Sequence, residues 1–247
     1  MKKILAILLA MVMTFGLLTG CNKSQPDKPN GDSSDIVIGV VVNNLEHVFF
    51  NRIKAGMEEK AAELGVTLKV SDMAFDGIIP AVLSGSVDVG ASGFSVTEER
   101  KKRVLFTEPF YKSGLTVLVA KGNEDKIQGF KDLDGRKLAV QIGTTAAAKA
   151  KDIKDAKVQT FNNAGDAILE LANGGCEAVI NDKPVTDYIL AQNKSLAEQT
   201  THLKPIATAD LFAMVTAKGN DSLKKEMDDA LKALKADGTF NELHRKW

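Results

Sequence analysis

From residue 36 to the C-terminus, short apolar runs of strand character alternate with segments whose apolar residues recur at helical spacing. "DIVIGVVV" reads as a buried strand, and "FFNRIKAGMEEKAAELG" as a helix closing on Gly65. "VTLKVS", "VDVGASG", "GLTVLVAKG", "CEAVIND" and "LFAMVTAKG" read as further strands. Between them, "GIIPAVLSG", "DAILELANGG" and "KPVTDYILAQN" read as helices, and "DLDGRKLAVQIGTTAAAKAKDI" as strand, turn and helix. "DSLKKEMDDALKALKADGTFNELHRKW" gives terminal helices broken at Gly238. Such alternation dictates α/β layers, with a largely parallel sheet expected. Ligands of such sheets collect at strand carboxyl ends and helix N-termini.

The first 35 residues stand apart. Lys2 and Lys3, an apolar run from Ile4 to Leu18 and small residues before Cys21 form the pattern of a secretion signal. The run has about 15 residues, short of the roughly 20 that span a bilayer. "LLTGC" resembles the bacterial lipoprotein cleavage box, which implies that residues 1–20 are removed and that Cys21 carries lipid. Residues 22–35 are polar and rich in Ser, Pro, Asn, Gly and Asp, so 21–35 reads as a flexible tether. Losing Lys2 and Lys3 from 32 basic residues leaves 30 against 32 acidic ones, a net charge of −2. That balance lacks the basic face nucleic acid requires. The second cysteine, Cys176, reads as a buried thiol.

Four stretches carry a resemblance: "MAFDGIIPAVLSGSVDVGASGFSVTEERKKRVLFTEPFYKSG", "DLDGRKLAVQIGTTAA", "GGCEAVINDKP" and "ADGTFNELHRKW". Together they resemble, in order and spacing, the extracellular polar amino-acid-binding proteins of ABC importers. The resemblance implies an α/β fold of two lobes joined by two hinge strands, with a ligand cleft between them. It places lobe 1 at residues 36–117 and 207–247, and lobe 2 at 118–206.

An α-amino acid needs a partner for its carboxylate, one for its ammonium and a pocket for its side chain. Arg100 matches the family's carboxylate partner, since its planar fork can grip a carboxylate with two parallel hydrogen bonds. Taken alone, it is an arginine in the charge run "EERKKR". Gly93 and Ser95 match first-lobe contacts to the ammonium and carboxylate. Thr144 and Thr145 open a helix after a glycine, where free N–H groups favour an anion or simply a cap. Gln141 stands where the family often places a side-chain selector. Asp182 matches the acid that pairs with the ammonium; by itself it is a turn residue before Pro184. Phe75 matches an aromatic packed on the ligand side chain, or belongs to the core.

The front end departs from that family. "IVIGVVVNNLEHVFFNRIKAGMEEKAAELGVTLKVSD", within residues 36–72, is similar instead to the opening of the periplasmic sugar-binding proteins. There an aromatic after the first strand stacks on a sugar ring. Phe50, Ile53, Met57, Ala61 and Leu64 form a core stripe on the helix, leaving Phe49 and Asn43 nearer the ligand. A lone His47 without Cys or carboxylate at ligand spacing argues against a metal, and no cofactor is implied.

The expected function is therefore a lipid-anchored, monomeric, extracytoplasmic protein that captures a polar amino acid by lobe closure and delivers it to a membrane permease. A chimeric scaffold with weakened or altered binding is the alternative. A sugar binder would leave Arg100 and Asp182 as buried charges without counterparts. A dehydratase-like enzyme would need an acid or base such as Glu46 or His47, and no nucleophile–base pair is visible, so the chain reads as a non-enzyme.

Overall fold

The computed structural model describes residues 37–42, 54, 58, 61, 62 and 67–246, with side chains through Glu242. Cys21 and the tether, Asn43, Phe49, and the expected stripe members Phe50, Ile53, Met57 and Leu64 lie outside the described residues. The chain divides into two compact units. Of the described residues, the first holds those up to Met73, Ile78–Phe110 and 213–246, and the second Ala74–Gly77 and Tyr111–Phe212.

The first unit is built on a sheet of order β2-β1-β3-β11-β4, with β1 at Val37–Val42, β2 at Thr67–Asp72, β3 at Val89–Ser95, β4 at Val104–Phe106 and β11 at Asp210–Ala217. β1 pairs in parallel with β2 along its whole length, from Val37 opposite Thr67 to Val42 opposite Asp72. It also pairs in parallel with β3. Its sequence VIGVVV is apolar on both faces, as a central strand requires, and Val40, Val41 and Val42 are fully buried. β2, at the edge, stays half exposed.

Helix Asp221–Ala236 packs Met227, Ala230, Leu231 and Leu234 against Val40, Val42, Val89 and Met214. The spacing i, i+3, i+4, i+7 places these four on one stripe. Ala61 joins the same core. Gly90 sits where a Cβ would come 2.7 Å from Val215 and 2.8 Å from Ile78, so only glycine lets helix Phe75–Leu83 settle on β3.

The second unit carries a sheet of order β10-β6-β9-β7-β8, with β6 at Leu115–Ala120, β7 at Lys137–Gln141, β8 at Lys157–Phe161, β9 at Ala178–Asp182 and β10 at Thr200–His202. Strand alternation sorts its residues onto two faces. Leu115, Val117, Val119, Leu138, Val140 and Ile180 meet helix Thr145–Lys151 through Ala146 and Ala150. Leu118, Ala139 and Val179 meet helix Ala164–Ala172 through Ala167, Ile168 and Leu171. Cys176 is buried in this second layer. Helices Lys183–Gln192 and Lys194–Gln199 complete the unit.

The sheets are less uniformly parallel than the alternation implied. β7 runs parallel to β8 and β9, but β6 is antiparallel to β9 and β10. β11 is likewise antiparallel to β4 and to β5, Tyr111–Ser113. β5 and β11, which stand where the chain passes between units and back, are antiparallel partners, a pairing that needs no helical crossover.

β5 and β11 lie side by side at the two passages, with Tyr111 opposite Phe212 and Ser113 opposite Asp210. The Tyr111 and Phe212 rings stack with centroids 6.1 Å apart. At Gly114 an added Cβ would fall 2.3 Å from the Thr208 carbonyl oxygen, so the second passage presses directly on the first. Among the described residues no helix is long and apolar enough to cross a membrane.

Candidate functional site

In the first unit, β3 delivers Gly93 and, at its carboxyl end, Ser95, which is buried. Thr97 then caps the short helix Glu98–Lys101, its hydroxyl accepting the Arg100 N–H at 3.2 Å. The Arg100 side chain turns back, and Nη1 donates to the Ser95 carbonyl oxygen at 2.9 Å. Its guanidinium carbon lies 5.6 Å from the centroid of the buried Phe94 ring. Backbone cap, carbonyl and ring face together restrain the half-buried Arg100.

Its neighbours in the charge run behave differently. Lys101, Lys102 and Arg103 are exposed, and Lys101 makes an ordinary surface pair with Glu98 at 2.7 Å. Phe75 opens helix Phe75–Leu83 and is buried on the same stripe as Ile78, Ile79 and Val82.

In the second unit, β7 and β9 are adjacent parallel strands, with Ala139 opposite Val179, so Gln141 and Asp182 end at the same edge of the sheet. After β7 the chain turns through Gly143, whose φ of 76° is the left-handed region that glycine tolerates. Thr144 then caps helix Thr145–Lys151. Its hydroxyl donates to the Gln141 carbonyl at 2.7 Å and accepts the Ala147 N–H at 3.1 Å. Gln141 is buried, and its amide nitrogen donates to the Asn162 carbonyl at 3.1 Å. A hollow of about 250 Å³ lies beside Thr145, lined also by Leu115, Lys149, Asp152, Thr208 and Asp210.

Asp182 is 6% exposed. It stands at the N-cap of helix Lys183–Gln192, yet its side chain makes no capping bond. Instead it accepts the Ser113 hydroxyl at 2.6 Å. A carboxylate at this depth is stable only with hydrogen bonds or a cation to balance it.

Sequence reasoning named Arg100 and Asp182 but not the residues that aim them, Phe94 and Ser113. Both stood in the first quoted stretch, "MAFDG…FYKSG", but Ser113 lies on a three-residue strand with no periodicity to single it out. Asn43 and Phe49 fall outside the described residues. Among the described residues no cluster of His, Cys, Asp or Glu is arranged to hold a metal.

The sequence profile of the bacterial extracellular solute-binding proteins, family 3, matches residues 56–247. The chain belongs to this family. It is 34% identical to the "Probable histidine-binding protein" of Campylobacter jejuni, over 77% of this chain and 73% of that one. It is 30% identical to the Escherichia coli "ABC transporter arginine-binding protein 1", over 70% of this chain and 71% of the relative. Among solved structures, a mutant of ArgBP from T. maritima superposes with a TM-score of 0.75 at 30% identity, covering 87% of this chain and 95% of that one. The family and the two-lobe α/β fold are thereby those the four sequence stretches implied.

Proposed function

We propose that this protein is a lipid-anchored extracytoplasmic receptor that captures a polar amino acid and delivers it to an ABC-type permease. The observation that carries the proposal is a pair of opposite charges, each pre-aimed by its own unit. Arg100 is pinned by Ser95 and Phe94, and the buried Asp182 is held by Ser113.

In this reading the ligand carboxylate pairs bidentately with Arg100, supported by backbone N–H groups at Thr144 and Thr145. The ammonium pairs with Asp182, and Ser95 and the Gly93 backbone complete its shell. Phe75, Gln141, Asn43 and Phe49 line the side-chain pocket. Closure of the lobes about β5 and β11 brings the halves onto one ligand. A micromolar affinity, about −8 kcal/mol, lies within reach of two desolvated charge-assisted contacts. No bond is made or broken, so no catalytic residue is assigned. Cleavage before Cys21 and its lipidation tether a monomer to the cell membrane on its extracytoplasmic face, in the periplasm or at the outer surface. Relatives named for histidine and arginine support a polar or basic ligand.

The test is calorimetric titration of the purified chain against the twenty amino acids plus ribose and galactose. Heat from one or a few amino acids supports the proposal. Heat from a sugar alone, or from nothing while the protein is folded, rejects it.

A further inference from the structure

We infer that Ser113, on the first connecting strand, is the positioning residue that orients Asp182 for a ligand ammonium. This rests on the reading of Asp182 as the ammonium acceptor and extends it.

An aspartate at a helix N-cap ordinarily folds over to accept an N–H of its own first turn, a contact worth about 1 kcal/mol. Asp182 has the extended backbone of a cap, with φ −64° and ψ 134°, but makes no such bond. The helix keeps Pro184 in its first turn, which removes one N–H from the groups a cap would serve. The carboxylate is thus withdrawn from its structural duty and given to Ser113, whose hydroxyl lies 2.6 Å from Oδ1.

The backbone around the pair is fixed at the same place. Gly114 accepts the Lys183 N–H at 2.9 Å, and Leu115 stands opposite Asp182 in the β6–β9 ladder. Leu115 N–H is in turn held by the Thr208 hydroxyl at 2.9 Å, and Thr208 donates to Asp210. Asp210 is the β11 residue opposite Ser113. Both connecting segments therefore converge on the residue that aims the acid. Holding one carboxylate oxygen sets the side-chain torsion and the carboxylate plane before ligand arrives. An ammonium then meets an acceptor that need not be ordered on binding.

The prediction is read by a double-mutant cycle on the full chain in detergent, titrated with L-arginine, or with whichever amino acid the panel above shows to bind. Ser113→Ala should weaken binding about ten-fold, the scale of one charge-assisted hydrogen bond. Ser113→Thr, which keeps the hydroxyl, should restore most of the loss. In an Asp182→Asn background, Ser113→Ala should cost almost nothing, because its route to the ligand is gone. Melting curves establish that each variant is folded. An undiminished affinity in Ser113→Ala, or a loss that adds fully to that of Asp182→Asn, overturns the inference while leaving amino-acid binding intact. Unchanged affinity in Asp182→Asn overturns the acceptor reading itself, and this inference with it.

Discussion

A charged side chain can be told from its surface neighbours by what restrains it. Arg100 sits in a run of five other charged residues, and composition alone assigns it to solvent. The structure separates it from Lys101, Lys102 and Arg103 by a capped backbone, a carbonyl partner and an aromatic face. That restraint depends on the fold of β3 into its following turn, which no local spacing encodes; the family resemblance supplied it. Cys176 is the converse case, legible from its setting in "GGCEAVI" as a buried thiol. Burial, with Glu170 and Glu177 nearby, pushes its pKa up to about 12. Only the thiolate is a good nucleophile, so native protein at pH 8 should resist iodoacetamide and react at once when unfolded in guanidinium. Stoichiometric labelling of the native state, read by mass spectrometry, would contradict this.

Elements were legible where periodicity was strong. β1, β3, β6, β9 and β11 bury half or more of their residues and announce themselves as apolar runs. β8, with its sequence KVQTF half exposed, and the three-residue β5 and β10 carry too little apolar pattern to be read. The unread β10 nevertheless places His202, 14% exposed in its side chain, against two other elements. Its Nδ1 lies 2.8 Å from Asp187 of helix Lys183–Gln192, and its Nε2 lies 2.7 Å from the Thr116 hydroxyl of β6.

Burial lowers the His202 pKa below its usual 6.5; Asp187 opposes that shift and Lys183 of the same helix reinforces it. The neutral ring is thus the folded form, and the unfolded chain takes up the proton more readily. Stability from this residue is complete above about pH 6.5 and declines as pH falls through the window below it. His202→Gln should flatten that acid-side decline in the melting temperature between pH 7.5 and pH 5. An identical decline in wild type and variant would place its origin elsewhere.

At the scale of the molecule, the two units have separate cores, one around Val40, Met227 and Leu231, the others around Leu138, Ile180 and Ile168. The alternation of strands and helices predicted α/β layers, whereas the two lobes and their bounds were supplied by the family resemblance; β5, the first connecting strand, has only three residues and no apolar run to mark it. A ligand that binds only the folded protein stabilises it by mass action, about 2.7 kcal/mol at a hundred times its dissociation constant. For a chain of this size that corresponds to a rise of roughly 5–10 °C in melting temperature. An unchanged melting temperature in the presence of every amino acid at millimolar concentration would contradict such binding.

The central claim is the clamp on an amino acid's two charges, and Arg100 tests it most directly. Titrating the amino acid that binds best into wild type and Arg100→Ala, side by side with melting curves, should show binding falling at least a hundred-fold in a folded variant, the loss of a bidentate charge pair. Equal affinity in the two proteins would mean that the carboxylate is held elsewhere and that Arg100 is the surface residue its neighbours are.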